Sequence, residues 1–483
     1  MRVVIVGAGF GGIGAAIELQ RHGFRDITIL DHGPQLGGTW RDNSYPGAAC
    51  DVPSHLYSFS FAQRRNWSRL CSPQEEILGY LTDVATQFGV DRLVVPDTRV
   101  ASCDWDDARQ VWRTTSEDGR SWESEAIVVA TGQLHQPAYP TIEGADRFQG
   151  HRFHSARWDH DYDRRGKRVA VIGTGASAVQ FVPEIAEQAS RLFVFQRTGN
   201  WFLPRKNRAY PPLLRAIFQH VPGVQAFRRK FMFFYCESLT MMIRHPRSWG
   251  RLGHLRSAAF MRLQLRDPEV RRKVWPDYTF GCKRILFSSA FLPALQRPNV
   301  EVVTERITSL SDRGVVTSDG VEREVDCVIY GTGFKTNDFM FPMAINGTGG
   351  RALSDVWADG AHAHLGITVP GFPSMFVMYG PNTNTSGGSI IAYHEAQSAY
   401  IRQALEQVAR RRAAAIEVRA EVEAASDAEV QRSFDGTAWT RCDSWYRTPD
   451  GRIVANWPHY MRDYFERTRE LDPDEFEFLE PAA

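Results

Sequence analysis

The stretch Val3–Leu19, VVIVGAGFGGIGAAIEL, decides the fold. A β-branched run leads into Gly7, Gly9 and Gly12, and an apolar segment rich in alanine continues to Gly23. ITIL follows at 27–30 and ends on Asp31. This order reads as strand, glycine turn, helix and second strand. Each glycine has its own task. Gly7 permits the tight turn, Gly9 lets backbone approach a pyrophosphate, and Gly12 lets the helix lie close on the strand. The helix N-terminus offers free N–H groups and a positive dipole end to phosphates. At Asp31 a carboxylate is expected to accept hydrogen bonds from both hydroxyls of a ribose. One basic residue before an apolar run also imitates a signal peptide, but five glycines interrupt the run and spoil a continuous apolar helix.

The unit recurs. RVAVIGTGASA at 168–178 repeats the strand and the turn through Gly173, Gly175 and Ala178. VQFVPEIAEQA supplies the helix and LFVFQRT the next strand. Asp31 lies 19 residues after Gly12, and Arg197 lies 19 residues after Ala178. An acid at that position repels a 2′-phosphate, whereas an arginine grips one. The first unit therefore suits FAD and the second NADP, with Thr198 as a further donor. Two dinucleotide sites in one chain imply hydride transfer from a nicotinamide to a flavin.

The expected fold class is α/β, with two Rossmann-like dinucleotide-binding domains and a helical insertion. The FAD domain is expected to be discontinuous, at 1–145 and 336–483. The NADP domain is expected at 146–208 and 280–335. Residues 209–279, rich in Arg, Phe, Leu and Met at helical spacing, form the expected insertion, with its apolar positions expected in the core rather than on a cofactor. The segment 389–412 reads as a long helix ending in solvated arginines.

Bulk properties exclude several functions. Lys and Arg number 57 against 56 Asp and Glu, which leaves no field for a polyanion, so nucleic acid is not an expected partner. No uninterrupted apolar stretch reaches the roughly 20 residues of a membrane span. The nearest, 230–243, is short and contains Glu237, and no membrane partner is expected. The seven cysteines include no CxxC pair, which argues against a disulfide framework, a zinc site or a dithiol redox pair. Cys50 and Cys282 read as small packing residues, and a reducing, cytoplasmic compartment is expected. No cluster has metal-ligand spacing, so no metal is expected.

Two further stretches carry a resemblance. FQGHRFHSARWD, 148–159, contains Phe148, Gly150, His154, Trp158 and Asp159. GGTWRDNSYPGAACD, 37–51, contains Gly37, Gly38, Trp40, Tyr45, Pro46, Gly47 and Asp51. Together with the two flanking nucleotide units, they resemble the fingerprints of the Baeyer–Villiger monooxygenases, from Met1 to about Trp445. The resemblance implies an NADPH- and O2-dependent flavoprotein that inserts one oxygen atom beside a ketone carbonyl through a C4a-peroxyflavin. It implies catalytic roles for Asp51 and Arg284. It implies FAD contacts for Thr39, Trp40, Asp51, Tyr57 and Ile390, besides Gly7, Gly9, Gly12 and Asp31. NADP contacts are implied for Gly173, Thr174, Gly175, Ala176, Ser177, Gln180, Arg197, Thr198, Lys283, Arg284 and Trp445. The family's pattern departs at Asp42, Ser44 and Ala49, which bears on the pocket wall and so on the substrate.

Arg284 is the residue on which the chemistry turns. A guanidinium does not release its proton near neutrality, so it stabilises an anionic peroxide without quenching it. A protonated peroxide would instead oxidise sulfur or nitrogen, and heteroatom oxygenation is the alternative. A flavin-dependent disulfide reductase and a nucleotide-holding regulatory protein are further rivals, the first weakened by the absence of CxxC. The stretch 148–159 is expected to be the connection between the two units, with His154 a hinge anchor there and Phe148 and Trp158 packing residues.

Overall fold

The computed structural model describes residues 1–205, 207–385 and 387–482. Ten strands build two parallel sheets: β1 (Arg2–Val6), β2 (Asp26–Leu30), β3 (Val94–Val95), β4 (Ala126–Val129), β5 (His151–His154), β6 (Arg168–Ile172), β7 (Arg191–Phe195), β8 (Val300–Val303), β9 (Cys327–Tyr330) and β10 (Met375–Val377). The first sheet runs β10–β4–β1–β2–β3 and the second β8–β7–β6–β9–β5. Every pairing in both is parallel. Parallel strands are covered on both faces, which is why these segments read as unbroken apolar runs. Ile5, Val128, Val171, Val194 and Ile329 are all fully buried.

The two sheets share one strand order, with the strand before the glycine turn at the centre. They differ in their edge beyond β4 and β9. β10 comes from far along the chain, whereas β5 precedes its own glycine turn. The repeat also extends further than the sequence disclosed. Three antiparallel strands precede β4 (Val100–Asp106, Val111–Ser116, Ser121–Ser124) and three precede β9 (Ile307–Leu310, Gly314–Thr317, Glu322–Glu324).

Seven helices matter for the site: α1 (Phe10–Arg21), α2 (Ala176–Gln188), α3 (Pro212–His220), α4 (Val224–Arg244), α5 (Trp249–Gln264), α6 (Pro268–Val274) and α7 (Ile390–Arg411). α7, the long helix read at 389–412, packs along α1. α6 starts cleanly because the Asp267 side chain accepts from the N–H groups of Glu269 and Val270 and Pro268 takes the first position. No helix among the described residues is long and apolar enough to cross a membrane. Glu237, which interrupts the apolar face of α4, is buried and accepts from the Met461 N–H at 2.8 Å.

Two expectations are corrected here. The stretch 148–159 is not a plain connection: its HRFH forms β5, the edge strand paired with β9, with His154 opposite Tyr330. Its anchors are buried, Phe148 within the second sheet's meander-side core and Trp158 against Phe153 and Phe181. The second correction concerns Cys282, which is no packing residue but forms a disulfide with Cys442. The partners are 160 residues apart, and only the tertiary fold brings their Cα atoms to 6.1 Å. The cysteine spacing therefore carries no argument about compartment. The other five cysteines are free and buried.

Three of the four buried histidines, His55, His154 and His394, are held by burial well below the usual imidazole value, at about 4. They fold as neutral rings. Between roughly pH 6.5 and 4 the unfolded chain binds these protons and the native chain refuses them, so stability falls as pH falls. Three such groups set a limiting slope of about 4 kcal/mol per pH unit. Urea midpoints of the holoenzyme should therefore drop steadily from pH 7 to pH 5. A flat midpoint over that range would contradict the neutral assignment.

Candidate active site

A cavity of about 670 Å³ runs from the end of β2 to Arg284. The first glycine turn forms its floor. A Cβ on Gly12 would sit 1.8 Å from the Gly7 carbonyl oxygen, so only glycine lets α1 lie this close to β1. A Cβ on Gly38 would lie 3.0 Å from the Gly9 Cα, so two glycine loops abut and leave a groove lined by backbone. Gly9 caps α1 without a side chain, which leaves first-turn N–H groups to a ligand. This cradle fits a dinucleotide pyrophosphate. Gly7, Gly9, Asp31, Thr39, Trp40, Asp51, Tyr57 and Ile390 all line the cavity, while Gly12 lies beneath it. Trp40 Nε1 donates to the Tyr57 hydroxyl at 3.0 Å, fixing both rings.

Asp31 is more occupied than expected. Its Oδ2 accepts from the Ala8 N–H at 2.7 Å, and its Oδ1 accepts from Gly33 N–H at 2.8 Å and Arg41 Nη1 at 2.6 Å. A carboxylate has about four acceptor positions, so roughly one remains for a ribose hydroxyl, not two. Asp42 explains the arrangement. It accepts from Arg41 Nε at 2.8 Å and lies 3.6 Å from His32. Burial opposes its charge, yet His32 and Arg41 hold it down at about 2. The departure at Asp42 thus serves the Asp31 end of the cavity. Ser44 lies 2.8 Å from His160 Nε2.

The second turn is built alike. Gly173 has a φ of +105°, and a Cβ there would meet the Gly331 carbonyl oxygen at 2.4 Å. Gly175 caps α2 without a side chain and faces open space. Arg197 is exposed at the end of β7. The Lys283 ammonium is lowered by burial and by the neighbouring Arg197, two cations gathered at one place. Such a pair suits a 2′-phosphate. Thr174, whose carbonyl accepts from Asn200 at 2.9 Å, Arg197, Thr198 and Lys283 lie outside the cavity, whereas Ala176, Ser177 and Gln180 reach into it.

Asp51 is the centre of the remaining geometry. Its Oδ2 is 4.0 Å from Arg284 Nη2, and its Oδ1 is 3.4 Å from Arg205 Nη1 and 3.5 Å from Gln180 Nε2. Only 11% of the Asp51 side chain and 14% of Arg205 are accessible. Half of the Arg284 side chain is accessible, but into the cavity and not to bulk water. Burial works against the Arg284 charge; Asp51, together with Tyr446, Tyr379 and Cys50, offsets it and the guanidinium is held above its usual value. Gln180 also grips the loop before Asp51. It accepts from Tyr45 and from the Ala49 N–H, and donates to the Ala49 carbonyl at 2.9 Å. A residue of the second nucleotide unit thereby positions a residue of the first.

Arg205 escaped the sequence reading because nothing in LPRKN marks it. A short parallel pair explains its place. Phe202 and Leu203 pair with Leu286 and Phe287, so Arg205 leaves one end as Arg284 enters the other. Arg205 Nη2 also donates to the Cys50 carbonyl at 2.8 Å. Cys50 itself is pushed far above the usual thiol range by burial, so it is no nucleophile. Trp445 does not line the cavity; it is 40% exposed, and its neighbour Tyr446 lines the cavity instead. The Cys282–Cys442 disulfide ties the Lys283–Arg284 loop to the segment that carries Tyr446.

Known proteins give this geometry a family. Residues 4–221 match the family model described as pyridine nucleotide-disulphide oxidoreductase. The chain is 40% identical over 474 residues to a Baeyer–Villiger monooxygenase of Pseudomonas aeruginosa, covering 98% of this chain and 90% of the relative. The chain belongs to the Baeyer–Villiger monooxygenases. A Streptomyces coelicolor member is likewise 40% identical over 486 residues, across all of this chain and 93% of its own. Among solved structures, a steroid monooxygenase bound to NADP superposes with a TM-score of 0.89 at 30% identity, and a closed cyclohexanone monooxygenase with 0.89 at 29%, each covering 99% of both chains. Its cofactors are FAD and NADPH, and it is a flavin-dependent monooxygenase of the Baeyer–Villiger type. FAD, when bound, supplies the reducible ring that activates O2.

Proposed function

We propose that this Baeyer–Villiger monooxygenase acts on a ketone to give an ester or lactone, with Arg284 the catalytic cation and Asp51 its holder. The observation that carries this is the row Arg205–Asp51–Arg284 on the cavity wall. Arg284 presents a charge that cannot act as an acid, which favours the anionic form of oxygen beside it. Asp51 is held by two further groups, so its grip on Arg284 has a fixed direction. Leu70, Leu239, Ile285 and Phe287 give the same cavity an apolar wall suited to the carbon skeleton of a ketone. FAD is assigned to the groove from Gly7 to Ile390, and NADP to Gly173–Gln180 with Arg197, Thr198, Lys283 and Trp445. The test is NADPH oxidation against linear, cyclic, aromatic and steroidal ketones, with a sulfide in parallel, read by product mass. Ester carrying one added oxygen is expected. Sulfoxide alone, with no ester from any ketone, would overturn the reading.

His154 is assigned the hinge role. It packs on Tyr139 at 5.2 Å and on Phe334 at 6.0 Å, and Phe334 pairs with Pro137 where the chain crosses between the sheets. Its Nδ1 accepts from the Ala156 N–H at 3.1 Å. His154→Ala is expected to raise NADPH consumed per product formed while leaving flavin content and NADPH affinity near wild type. Unchanged coupling would remove the assignment.

A further inference from the structure

The face that α4 and α5 turn outward has no use in the reaction described above. Of the fourteen large hydrophobic side chains exposed among the described residues, nine fall between Leu213 and Leu263. On α4 they are Phe227, Phe231 and Phe234, at spacings that form one stripe along the helix. On α5 they are Trp249, Leu252 and Leu255, also on one side. α4 and α5 pack against each other. Phe227 and Leu255 are 72% and 63% exposed, and a clustered set of such apolar side chains marks an interaction surface.

Charge narrows what covers them. Residues 212–266 contain ten Lys and Arg and a single acid, Glu237, in a chain whose balance is +1, so the remainder carries −8. Glu237 is buried, and Lys230, Arg247, Arg251 and Arg256 are exposed with no carboxylate partner among the described residues. A second copy of this face would bring the same cations against one another, which disfavours self-association. A polyanionic nucleic acid would satisfy the cations but leave the leucines nothing to stack on. A lipid surface satisfies both, because phenylalanine, tryptophan and leucine enter the acyl boundary while Lys and Arg meet anionic headgroups.

We propose that the α4–α5 face docks this enzyme on an anionic lipid bilayer, lying on the surface without spanning it. The absence of a spanning helix is compatible with this, since interfacial binding needs apolar side chains to a depth of only about 5–10 Å. The site also touches the cavity. Cys236 and Leu239, on other sides of α4, line it, so one helix separates the cavity from the docking face.

The test is flotation of the FAD-loaded enzyme with vesicles of phosphatidylcholine alone, or of phosphatidylcholine with about a third phosphatidylglycerol. The enzyme should float with the anionic vesicles at about 0.05 M salt, be largely released at about 0.5 M, and ignore the neutral vesicles. Arg251→Gln with Arg256→Gln should weaken partitioning roughly 30-fold. Phe227→Glu with Phe231→Glu and Phe234→Glu should abolish flotation while leaving flavin content and NADPH oxidation unchanged. These side chains are already exposed, so folding is not at stake, and the arginine pair tests the same face through charge alone. No flotation at low salt, or equal flotation of both variants, overturns the proposal. So does a wild-type dimer in sedimentation that the three glutamates dissociate, because the face would then be a self-interface.

Discussion

Arg284→Ala is expected to lower ester formation about 100- to 1000-fold, the cost of removing one preorganised charge from a site where negative charge develops. Flavin reduction by NADPH should survive, because Lys283, Arg197 and the second glycine turn remain. Single-turnover measurements separate the two: anaerobic bleaching of the flavin should proceed, while oxygenated product under air should fail. Arg284→Lys keeps a charge but loses the planar fork that faces Asp51, so it should recover only part of the activity. Product formation by the alanine variant at the wild-type rate would mean that the row on the cavity wall has been misread.

Removal of Arg205 should have the second largest effect, and it reads on stability as well as on rate. Arg205 and Asp51 are both largely buried and 3.4 Å apart. Breaking such a pair from one side leaves a buried carboxylate with too little compensation and costs about 3–5 kcal/mol. Arg205→Ala also leaves the Cys50 carbonyl without its donor. The holoenzyme should release flavin at a clearly lower temperature, and ester formation should fall because Asp51 loses its fixed direction toward Arg284. The decisive measurement is the cycle with Asp51→Asn. Once the carboxylate is gone, Arg205→Ala should cost much less than in the wild type. Equal costs in both backgrounds would show that Arg205 acts through the Cys50 carbonyl or packing and not through Asp51.

The identity of the two nucleotide units was legible because it depends on local rules. Gly7, Gly12 and Gly173 are required by backbone contacts of 1.8–2.5 Å that no Cβ would survive, and such requirements are written at single positions. Parallel strands buried on both faces leave equally plain apolar runs at β1, β4, β6 and β7. Asp31 and Arg197 were distinguishable for the same reason, since each ends a strand at one offset from its turn. What Asp31 does there was not legible, because Arg41 and Asp42 reach it through side-chain paths that have no spacing rule.

The sequence by itself determined the α/β architecture with two glycine turns and the resemblance that implies FAD and NADPH, and it singled out Asp51 and Arg284, which the fold brings to one cavity wall. The tertiary structure alone decided who holds them. Arg205 and Gln180 come to Asp51 from 154 and 129 residues away in the chain, and Cys442 comes to Cys282 from 160. It also decided that HRFH is an edge strand, and that Phe227, Phe231 and Phe234 face outward where helical spacing alone predicts a core. The physical reason is the same throughout. Turns, caps and strand runs are satisfied by neighbours in sequence, whereas ion pairs, disulfides and the choice of which apolar face is covered are settled only when distant segments meet.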